Sequence, residues 1–155
     1  MEYGCFSTRI GELCALVSER GVHYLDASDR IEYRRYEWGP LVEALRGEIS
    51  QYLEGKKNTF SFRPIISGPA LRRKVLEEVT FIPCGKTLTY GELAMKTGLR
   101  SPRLVGKILS ENDILLIIPC HRVVSVKGLG GYKLGVDVKK TLLDLEKKMC
   151  EDKYG

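Results

Sequence analysis

The amino-acid sequence predicts a mixed α/β fold built in two parts, with a boundary near residue 65. The first part reads as short strands followed by one helix, and the second part reads mainly as short helices. Segment 56–68, KKNTFSFRPIISG, lacks a strong helical period and contains Pro64, so we expect it to connect the two parts. A chain of 155 residues can form one ordinary domain or two small ones. We therefore predict domains at 1–65 and 66–155.

Patterns in the first part predict its strands and its helix. Segment 12–27, ELCALVSERGVHYLDA, contains two β-like runs separated by a turn around Glu19–Gly21. Segment 40–55, PLVEALRGEISQYLEG, begins with proline, ends with glycine and carries an apolar residue at every fourth position. This pattern predicts an amphipathic helix.

The second part begins with a predicted helix at 68–83, in which Leu71, Val75 and Val79 share one face. Two shorter helices, at 89–98 and 101–112, follow it. Their end signals are a capping box of Thr89 and Glu92, a stop at Gly98, a cap at Ser101 and Pro102 in the first helical position. Two short helices joined in this way are the layout of a helix-turn-helix.

The polar face of the 101–112 helix has two interpretations. Arg103, Gly106, Lys107 and Ser110 lie together, opposite Leu104, Val105, Ile108 and Leu109. The face is either an ordinary solvated surface or a DNA-recognition surface, in which the cations contact phosphates or bases and Gly106 permits close approach of a nucleic-acid backbone.

Segment 114–126, ILLIIPCHRVVSV, reads as a core strand that places Cys120 beside His121. A free cysteine is often a small buried hydrophobe. However, Pro119 interrupts the strand and an adjacent imidazole could activate the thiol as a nucleophile. Neighbouring residues of a strand point to opposite faces, so direct contact between thiol and imidazole requires a sharp turn or a bridging water.

A third group normally orients such a histidine, and Glu146 is the candidate. The last predicted helix, 136–149, packs through Val138, Leu142, Leu145 and Met149, and Glu146 lies at the edge of that face. The alternative is a border glutamate paired with a lysine. The glycine-rich segment 127–135, KGLGGYKLG, is either a plain turn or a pocket wall that presents Tyr132.

Composition limits the class of protein. Hydrophobic residues make up 43% and charged residues 29% of the chain, as in globular proteins. No apolar run approaches membrane-spanning length, and the N-terminus lacks the apolar core of a signal peptide, so we expect a cytoplasmic protein with no membrane partner. The five cysteines lack framework spacing, which predicts free thiols. The net charge of +5 favours anionic partners modestly.

Three segments together resemble the O6-alkylguanine-DNA alkyltransferases, a family of direct-reversal DNA repair proteins. They are IPCHRVV at 118–124, GLGGYKLGVDVKKTLLDLE at 128–146 and IPCGKTLTYGELA at 82–94. The resemblance is tight from about residue 68 to residue 146 and loose before it. It implies a ribonuclease H-like α/β N-terminal domain and a mostly helical C-terminal domain of the winged helix-turn-helix type.

The resemblance also implies a mechanism and roles for individual residues. A damaged guanine in duplex DNA is flipped into a pocket, and Cys120 takes its alkyl group in a single turnover. His121 and a water, oriented by Glu146, generate the thiolate, and Tyr132 donates toward the departing guanine. The remaining implied contacts are Val123 and Lys133 with the base, Asn112 bracing the turn before the cysteine, Arg103 filling the gap left by the base, Tyr90 on its phosphate, and Ser101, Gly106 and Lys107 with DNA.

We expect no cofactor, no metal and a monomer. Some family members bind a structural zinc in the N-terminal domain, but only Cys5, Cys14 and His23 are available here, one ligand short of a closed site. Substrate range is expected to centre on O6-alkylguanine, with O4-alkylthymine a poorer substrate.

Three other functions remain open at this stage. A lesion-binding protein without repair activity would require the Cys120 thiol to be silent. A DNA-binding regulator would use the helix-turn-helix alone and would leave Glu146 unexplained. A hydrolytic cysteine enzyme would need an oxyanion site and would turn over acyl substrates repeatedly.

Overall fold

The computed structural model describes residues 1–151 and shows a mixed α/β chain. The chain folds into two compact units. Unit 1 contains Met1–Ile65 together with Asp113–Ile117, and unit 2 contains Ile66–Asn112 and the chain from Ile118 onward.

Unit 1 is a three-stranded antiparallel sheet with one long helix. Its elements are β1 (Glu2–Thr8), β2 (Gly11–Ser18), β3 (Gly21–Asp26) and α1 (Pro40–Leu53). The predicted strands of segment 12–27 and the predicted helix at 40–55 are confirmed, whereas β1 was not identified from the sequence. The helix buries Val42, Leu45, Ile49, Tyr52 and Leu53, because these positions recur at the helical period.

A short segment from later in the chain completes this sheet. Leu25 in β3 forms a parallel bridge with Ile114, through hydrogen bonds from Leu25 N to Asp113 O (2.8 Å) and from Leu115 N to Leu25 O (2.8 Å). The edge of β3 is therefore covered by residues that shortly precede the CHR segment.

Unit 2 is mostly helical. Its elements are α2 (Ala70–Val79), β4 (Leu88–Thr89), α3 (Tyr90–Thr97), α4 (Pro102–Ser110), β5 (Val123–Val124) and α5 (Val136–Glu146), which continues as a π-helical turn at Lys147–Glu151. The predicted α2 face is wrong at Leu71, which is 39% exposed, while Leu76 is buried instead. Ala70 opens α2, so Leu71 lies in its first turn, and the buried residues of the helix are Val75, Leu76 and Val79 further along.

The ends of α3 and α4 follow the predicted capping signals. The Thr89 hydroxyl accepts a hydrogen bond from Glu92 N (3.1 Å), and the Glu92 carboxylate accepts one from Thr89 N (3.0 Å). Gly98 ends α3 with a φ of 75°, a left-handed conformation that favours glycine. The Ser101 hydroxyl caps α4 by accepting from Leu104 N (3.1 Å).

The predicted core strand at 114–126 is wrong for most of its length. Only Val123–Val124 is a strand, paired in parallel with Leu88–Thr89. Leu116 has a φ of 69°, and Cys120–Arg122 forms a 3₁₀ turn after Pro119. Most of the segment is buried although its backbone is irregular. An apolar run therefore indicates burial and does not by itself indicate a strand.

The prediction that the cysteines are free thiols is wrong for four of the five and confirmed for Cys120. The structure contains disulfides between Cys5 and Cys14 and between Cys84 and Cys150, and Cys120 is the one free cysteine. Cys5 and Cys14 lie directly opposite each other in the β1–β2 register. Cys84 and Cys150 are 66 positions apart, so their pairing depends on the fold of unit 2.

None of the helices within residues 1–151 combines the length and apolar character needed to span a bilayer.

Candidate active site

Cys120 opens the 3₁₀ turn that follows Pro119 and is 7% exposed. The turn is closed by hydrogen bonds from Cys120 N to Ile118 O (2.7 Å) and from Arg122 N to Pro119 O (2.9 Å). Asn112, which ends the turn after α4, donates from Nδ2 both to Ile118 O (3.2 Å) and to Cys120 Sγ (3.2 Å). Asn112 thus holds the backbone before the thiol and also contacts the sulfur itself.

His121 and Glu146 form a buried pair, as the predicted orienting role requires. His121 Nε2 lies 2.8 Å from Glu146 Oε2, and the two side chains are 0% and 1% exposed. α5 carries Glu146 on the face that also buries Leu142. The 3₁₀ turn directs His121 inward, which a regular strand through Cys120 would not achieve.

Arg122 is a member of this cluster to which the sequence assigned no role. Its Nε and Nη2 each donate to the Glu146 carboxylate at 2.8 Å, and its Nη1 donates to Ile82 O at 2.6 Å. The sequence did contain a signal for this contact. A charged residue directly after Cys120 and His121 in an apolar run costs free energy when it is buried, unless it is paired, so a buried partner for Arg122 could have been predicted.

These contacts set the protonation states of the cluster. Burial favours the neutral form of Glu146, but hydrogen bonds from His121 and Arg122 outweigh it and lower the pKa of the carboxyl to about 2. Burial lowers the pKa of His121, although Glu146 opposes this shift. The ring is therefore neutral, with the proton on Nε2 donated to Glu146, so Nδ1 is the basic nitrogen.

The surroundings of Cys120 favour the protonated thiol. Burial raises its pKa, while the Asn112 N–H and the charges of Lys139 and Lys133 act in the opposite direction. A thiolate at this position must be generated during the reaction, since the resting environment favours the thiol.

Cys120 lines a cavity of about 400 Å³ in unit 2. The other lining residues are Tyr90, Gly106, Leu109, Ser110, Gly131, Tyr132 and Lys133. The structure thus brings together four predicted site residues (Cys120, Tyr132, Tyr90, Lys133) with the predicted Gly106 on α4. Gly130 is required beside this cavity, because a Cβ there would lie 2.7 Å from the Tyr90 hydroxyl oxygen.

Two lysines hold the backbone around the cavity. Lys133 Nζ donates to Asn112 O at 2.7 Å. Lys139, which was not identified from the sequence, is fully buried and donates from Nζ to Val123 O (2.6 Å) and Gly131 O (3.0 Å). The Val123 carbonyl, predicted to recognise the base, therefore also accepts a hydrogen bond from the protein. Lys139 could have been found from its helical spacing, three positions before buried Leu142 and seven before Glu146.

The remaining predicted DNA contacts lie along α4. Arg103 and Lys107 are exposed on this helix, on the side away from its buried Val105, Ile108 and Leu109. Ser101 has a structural role as the N-cap of the same helix. Arg103 is outside the set of residues that line the cavity.

The group of potential metal ligands found within residues 1–151 is Cys5, Glu12 and Cys14. The two sulfurs are joined in a disulfide and so are not thiolates, the form that binds metal. His23 lies in β3 with its Nε2 2.7 Å from the Ser18 hydroxyl. As folded, this group does not fit a metal.

The site combines a free, buried cysteine with an adjacent imidazole that contacts a buried carboxylate. Comparison with known proteins identifies the family. A family model described as "6-O-methylguanine DNA methyltransferase, DNA binding domain" matches residues 70–148. The methylated-DNA–protein-cysteine methyltransferase of Sulfolobus acidocaldarius is 38% identical over 144 residues, which cover 93% of this chain and 92% of that protein. That of Saccharolobus solfataricus is also 38% identical, with coverages of 93% and 94%.

Solved structures agree. A Mycobacterium tuberculosis OGT in complex with DNA has a TM-score of 0.85 and 28% identity, covering 96% of this chain and 94% of that one. An O6-methylguanine DNA methyltransferase from Methanococcus jannaschii has a TM-score of 0.67 and 29% identity, with 93% of each chain covered. The chain belongs to the O6-methylguanine DNA methyltransferase family.

Proposed function

We propose that this protein repairs alkylated DNA by direct reversal, transferring the alkyl group of O6-alkylguanine, and less readily of O4-alkylthymine, to its own Cys120. The observation that carries the assignment of the acceptor is the position of Cys120, the one free thiol, in a cavity beside the buried His121–Glu146 pair. The other cysteines are consumed in disulfides and are not available as nucleophiles.

The chemistry is one displacement at carbon. The sulfur lone pair of the Cys120 thiolate forms the S–C bond as the C–O6 bond breaks, and the electron pair leaves with the guanine oxygen. Guanine then takes up one proton, so a thiol and an O6-alkylguanine become a thioether and guanine. A thioether is a poor leaving group, and each molecule therefore reacts once.

His121 is the base that removes the thiol proton. With Nε2 donating to Glu146, Nδ1 accepts the proton, through a bridging water, and the buried carboxylate stabilises the resulting imidazolium. Arg122 fixes the two carboxylate oxygens that orient the ring. Because burial raises the pKa of the Cys120 thiol, His121 is needed to remove its proton when the substrate is bound.

Tyr132 and the cavity walls receive the base. The Tyr132 ring stacks edge-on to His121, with centroids 6.2 Å apart, and its hydroxyl donates toward the departing guanine. The Val123 carbonyl and the backbone at Lys133 recognise the base edges. Asn112 braces the turn that presents the thiol, and Tyr90 contacts the phosphate of the flipped nucleotide.

DNA reaches the site through α3 and α4 acting as a winged helix-turn-helix. Arg103 occupies the gap left by the flipped base, and Ser101, Gly106 and Lys107 contact the duplex. In this proposal, 1–65 is a ribonuclease H-like α/β domain and 66–155 is the DNA-binding and alkyl-transfer domain. The protein acts as a monomer in the cytoplasm and associates with the nucleoid by binding DNA.

The test is intact-protein mass spectrometry after mixing with an equimolar duplex that contains one O6-methylguanine. We expect one added methyl group per molecule, mapped by peptide analysis to Cys120, and none in Cys120→Ser. The turn at Cys120 is held by hydrogen bonds that do not involve the sulfur, and Asn112 Nδ2 also donates to Ile118 O. Cys120→Ser is therefore expected to keep its fold and its binding to the lesion in a gel-shift assay.

Two results would contradict the proposal. Tight lesion binding by the wild type without an adduct would identify a non-catalytic lesion-binding protein. A methyl group on another residue would move the acceptor away from Cys120.

A further inference from the structure

The disulfide between Cys84 and Cys150 lies beside the buried Glu146, and the chemistry described above assigns it no role. Cys150 is buried and lies four residues after Glu146, in the π-helical turn that continues α5. Such turns are rare and often occur at functional sites. Cys84 Sγ lies 3.8 Å from the Glu146 carbonyl oxygen. The disulfide therefore fixes the backbone at the end of α5 that carries the carboxylate.

The other end of the disulfide belongs to the segment that holds Arg122. Cys84 follows Ile82 and Pro83 in the turn between α2 and β4. The Ile82 carbonyl accepts a hydrogen bond of 2.6 Å from Arg122 Nη1, and the same guanidinium donates twice to the Glu146 carboxylate. One path of contacts from Ile82 to Glu146 thus runs through Arg122, and a second runs through the disulfide.

The two paths form a closed contact ring beside the catalytic imidazole. Its members, in order, are Ile82, Cys84, Cys150, Glu146 and Arg122. Hydrogen bonds open and reform in local fluctuations, whereas a disulfide opens only by thiol exchange. The covalent side of the contact ring therefore limits how far the Glu146 carboxylate can move from His121 Nε2, which lies 2.8 Å from it.

We infer that the Cys84–Cys150 disulfide is a positioning element for alkyl transfer, which holds the Glu146 carboxylate against His121 and Arg122. This inference rests on the proposed function. The disulfide takes no part in the displacement at carbon and acts through Glu146. A dithiol reductant removes this restraint: the S–S bond and the two thiols of the reductant become two cysteine thiols and the oxidised, disulfide form of the reductant.

Removal of each disulfide in turn separates positioning from general stability. Cys84→Ser/Cys150→Ser opens the contact ring. Cys5→Ser/Cys14→Ser is the matched control, because it removes a disulfide from unit 1 and leaves the contact ring closed. Circular dichroism at the assay temperature verifies that both pairs are folded. Cys84→Ala/Cys150→Ala replaces the serine pair if a buried hydroxyl at position 150 prevents folding.

Single-turnover kinetics on an O6-methylguanine duplex separate lesion affinity from the transfer rate constant. We expect Cys84→Ser/Cys150→Ser to lower the transfer rate constant by about tenfold, a part of the roughly hundredfold or greater contribution of a positioned general base. Lesion affinity should change by less than about threefold, because α4 is untouched. The control pair should match the wild type, and dithiothreitol should slow the wild type but not Cys84→Ser/Cys150→Ser.

The Glu146→Gln background shows whether the disulfide acts through this carboxylate. Glu146→Gln removes the anion that the contact ring holds, so the additional loss of the disulfide should change the transfer rate constant by less than about twofold. A disulfide that only supported the fold would lower the rate constant by the same factor in both backgrounds. That result would overturn the inference.

Proton exchange at His121 supplies a measurement that needs no DNA. With ¹⁵N-labelled histidine, NMR detects two imidazoles, those of His23 and His121, and His23→Gln identifies the second. The Nε2 proton of His121 is donated to Glu146, and its exchange with solvent should be faster in Cys84→Ser/Cys150→Ser than in the control pair.

A folded Cys84→Ser/Cys150→Ser with the wild-type transfer rate constant, or with unchanged exchange at His121, would contradict the inference. Wild-type protein that fails to transfer methyl groups, while exchange at His121 still becomes faster without the disulfide, would contradict the proposed function alone.

Discussion

The lowered pKa of Glu146 depends on two residues that lie far from it in the sequence, His121 and Arg122. Its carboxylate accepts hydrogen bonds from His121 and from two nitrogens of Arg122, all within a buried cluster. A buried charge is stable only when its partners compensate the loss of water. Arg122 therefore supports the histidine indirectly, by keeping Glu146 ionised and fixed.

The lowered pKa of Glu146 predicts a pH-dependent contribution to stability. A carboxyl with a pKa depressed from 4.5 to about 2 stabilises the fold above its unfolded pKa, and this stabilisation is lost as the pH falls from about 4.5 toward 2. The loss should be about 3 kcal/mol of unfolding free energy. Urea unfolding across this range measures it.

Glu146→Gln is expected to flatten this acid dependence and to lower stability at neutral pH, because Arg122 and His121 lose their anion. Asp144→Asn is the control, since Asp144 is exposed on the same helix and pairs with Lys140. An unchanged pH slope in Glu146→Gln would contradict the ionised cluster.

Among the elements, α4 begins and ends where local interactions place its termini. Its exposed face is the one proposed to contact DNA. Ser101 and Pro102 start the helix, and its inner face buries Val105, Ile108 and Leu109. Those features were readable in the sequence because caps and helical periods involve neighbours in the chain. The outer face carries the cations of the proposed DNA contact.

Replacement of Lys107 by alanine should weaken binding to undamaged duplex about equally for all sequences and reduce the salt exponent by about 1, as expected for one lost phosphate contact. The wild-type exponent should be about −3 to −4, for roughly four phosphate contacts. Fluorescence anisotropy over a series of salt concentrations measures both values.

Arg103→Ala is expected to reduce the transfer rate more than binding, because the gap left by the flipped base would be unfilled. Single-turnover kinetics and anisotropy on the same lesion duplex measure the two effects, and Lys140→Ala serves as the surface control on α5, outside the proposed interface. A flat salt response of the wild type would contradict the assignment of α4 as the DNA-binding helix.

On the scale of the whole molecule, two disulfides close loops of very different length. Cys84–Cys150 spans 66 positions within unit 2, and Cys5–Cys14 spans 9 within the β1–β2 pair. A longer closed loop removes more entropy from the unfolded chain, which gives about 4 kcal/mol for the first and about 3 kcal/mol for the second. Cys84 Sγ also lies 3.8 Å from the carbonyl oxygen of Glu146, near the end of α5.

We therefore expect Cys84→Ser/Cys150→Ser to unfold at a lower temperature than the wild type, by a larger margin than Cys5→Ser/Cys14→Ser. Differential scanning calorimetry with and without reductant measures both changes. Reductant should not lower the unfolding temperature of a variant with all four cysteines replaced. If the wild type is equally insensitive to reductant, the disulfides contribute no stability.

The sequence by itself determined the features that depend on chain neighbours and on short patterns. Helix ends at Thr89, Gly98 and Ser101 follow from side-chain and backbone groups a few residues apart. The CHR segment and the later glutamate predicted, by resemblance, a nucleophile and its orienting partner. The burial of His121 and Glu146 agrees with those roles, which remain predictions until the adduct is mapped.

Only the tertiary structure decided how distant groups pair. The irregular path of 114–119, the Cys84–Cys150 disulfide, the Arg122 contacts and the buried ammonium of Lys139 depend on contacts between residues far apart in the chain. A local pattern cannot specify such contacts, because the free energy of burying a cation or closing a long loop depends on what the rest of the fold places beside it.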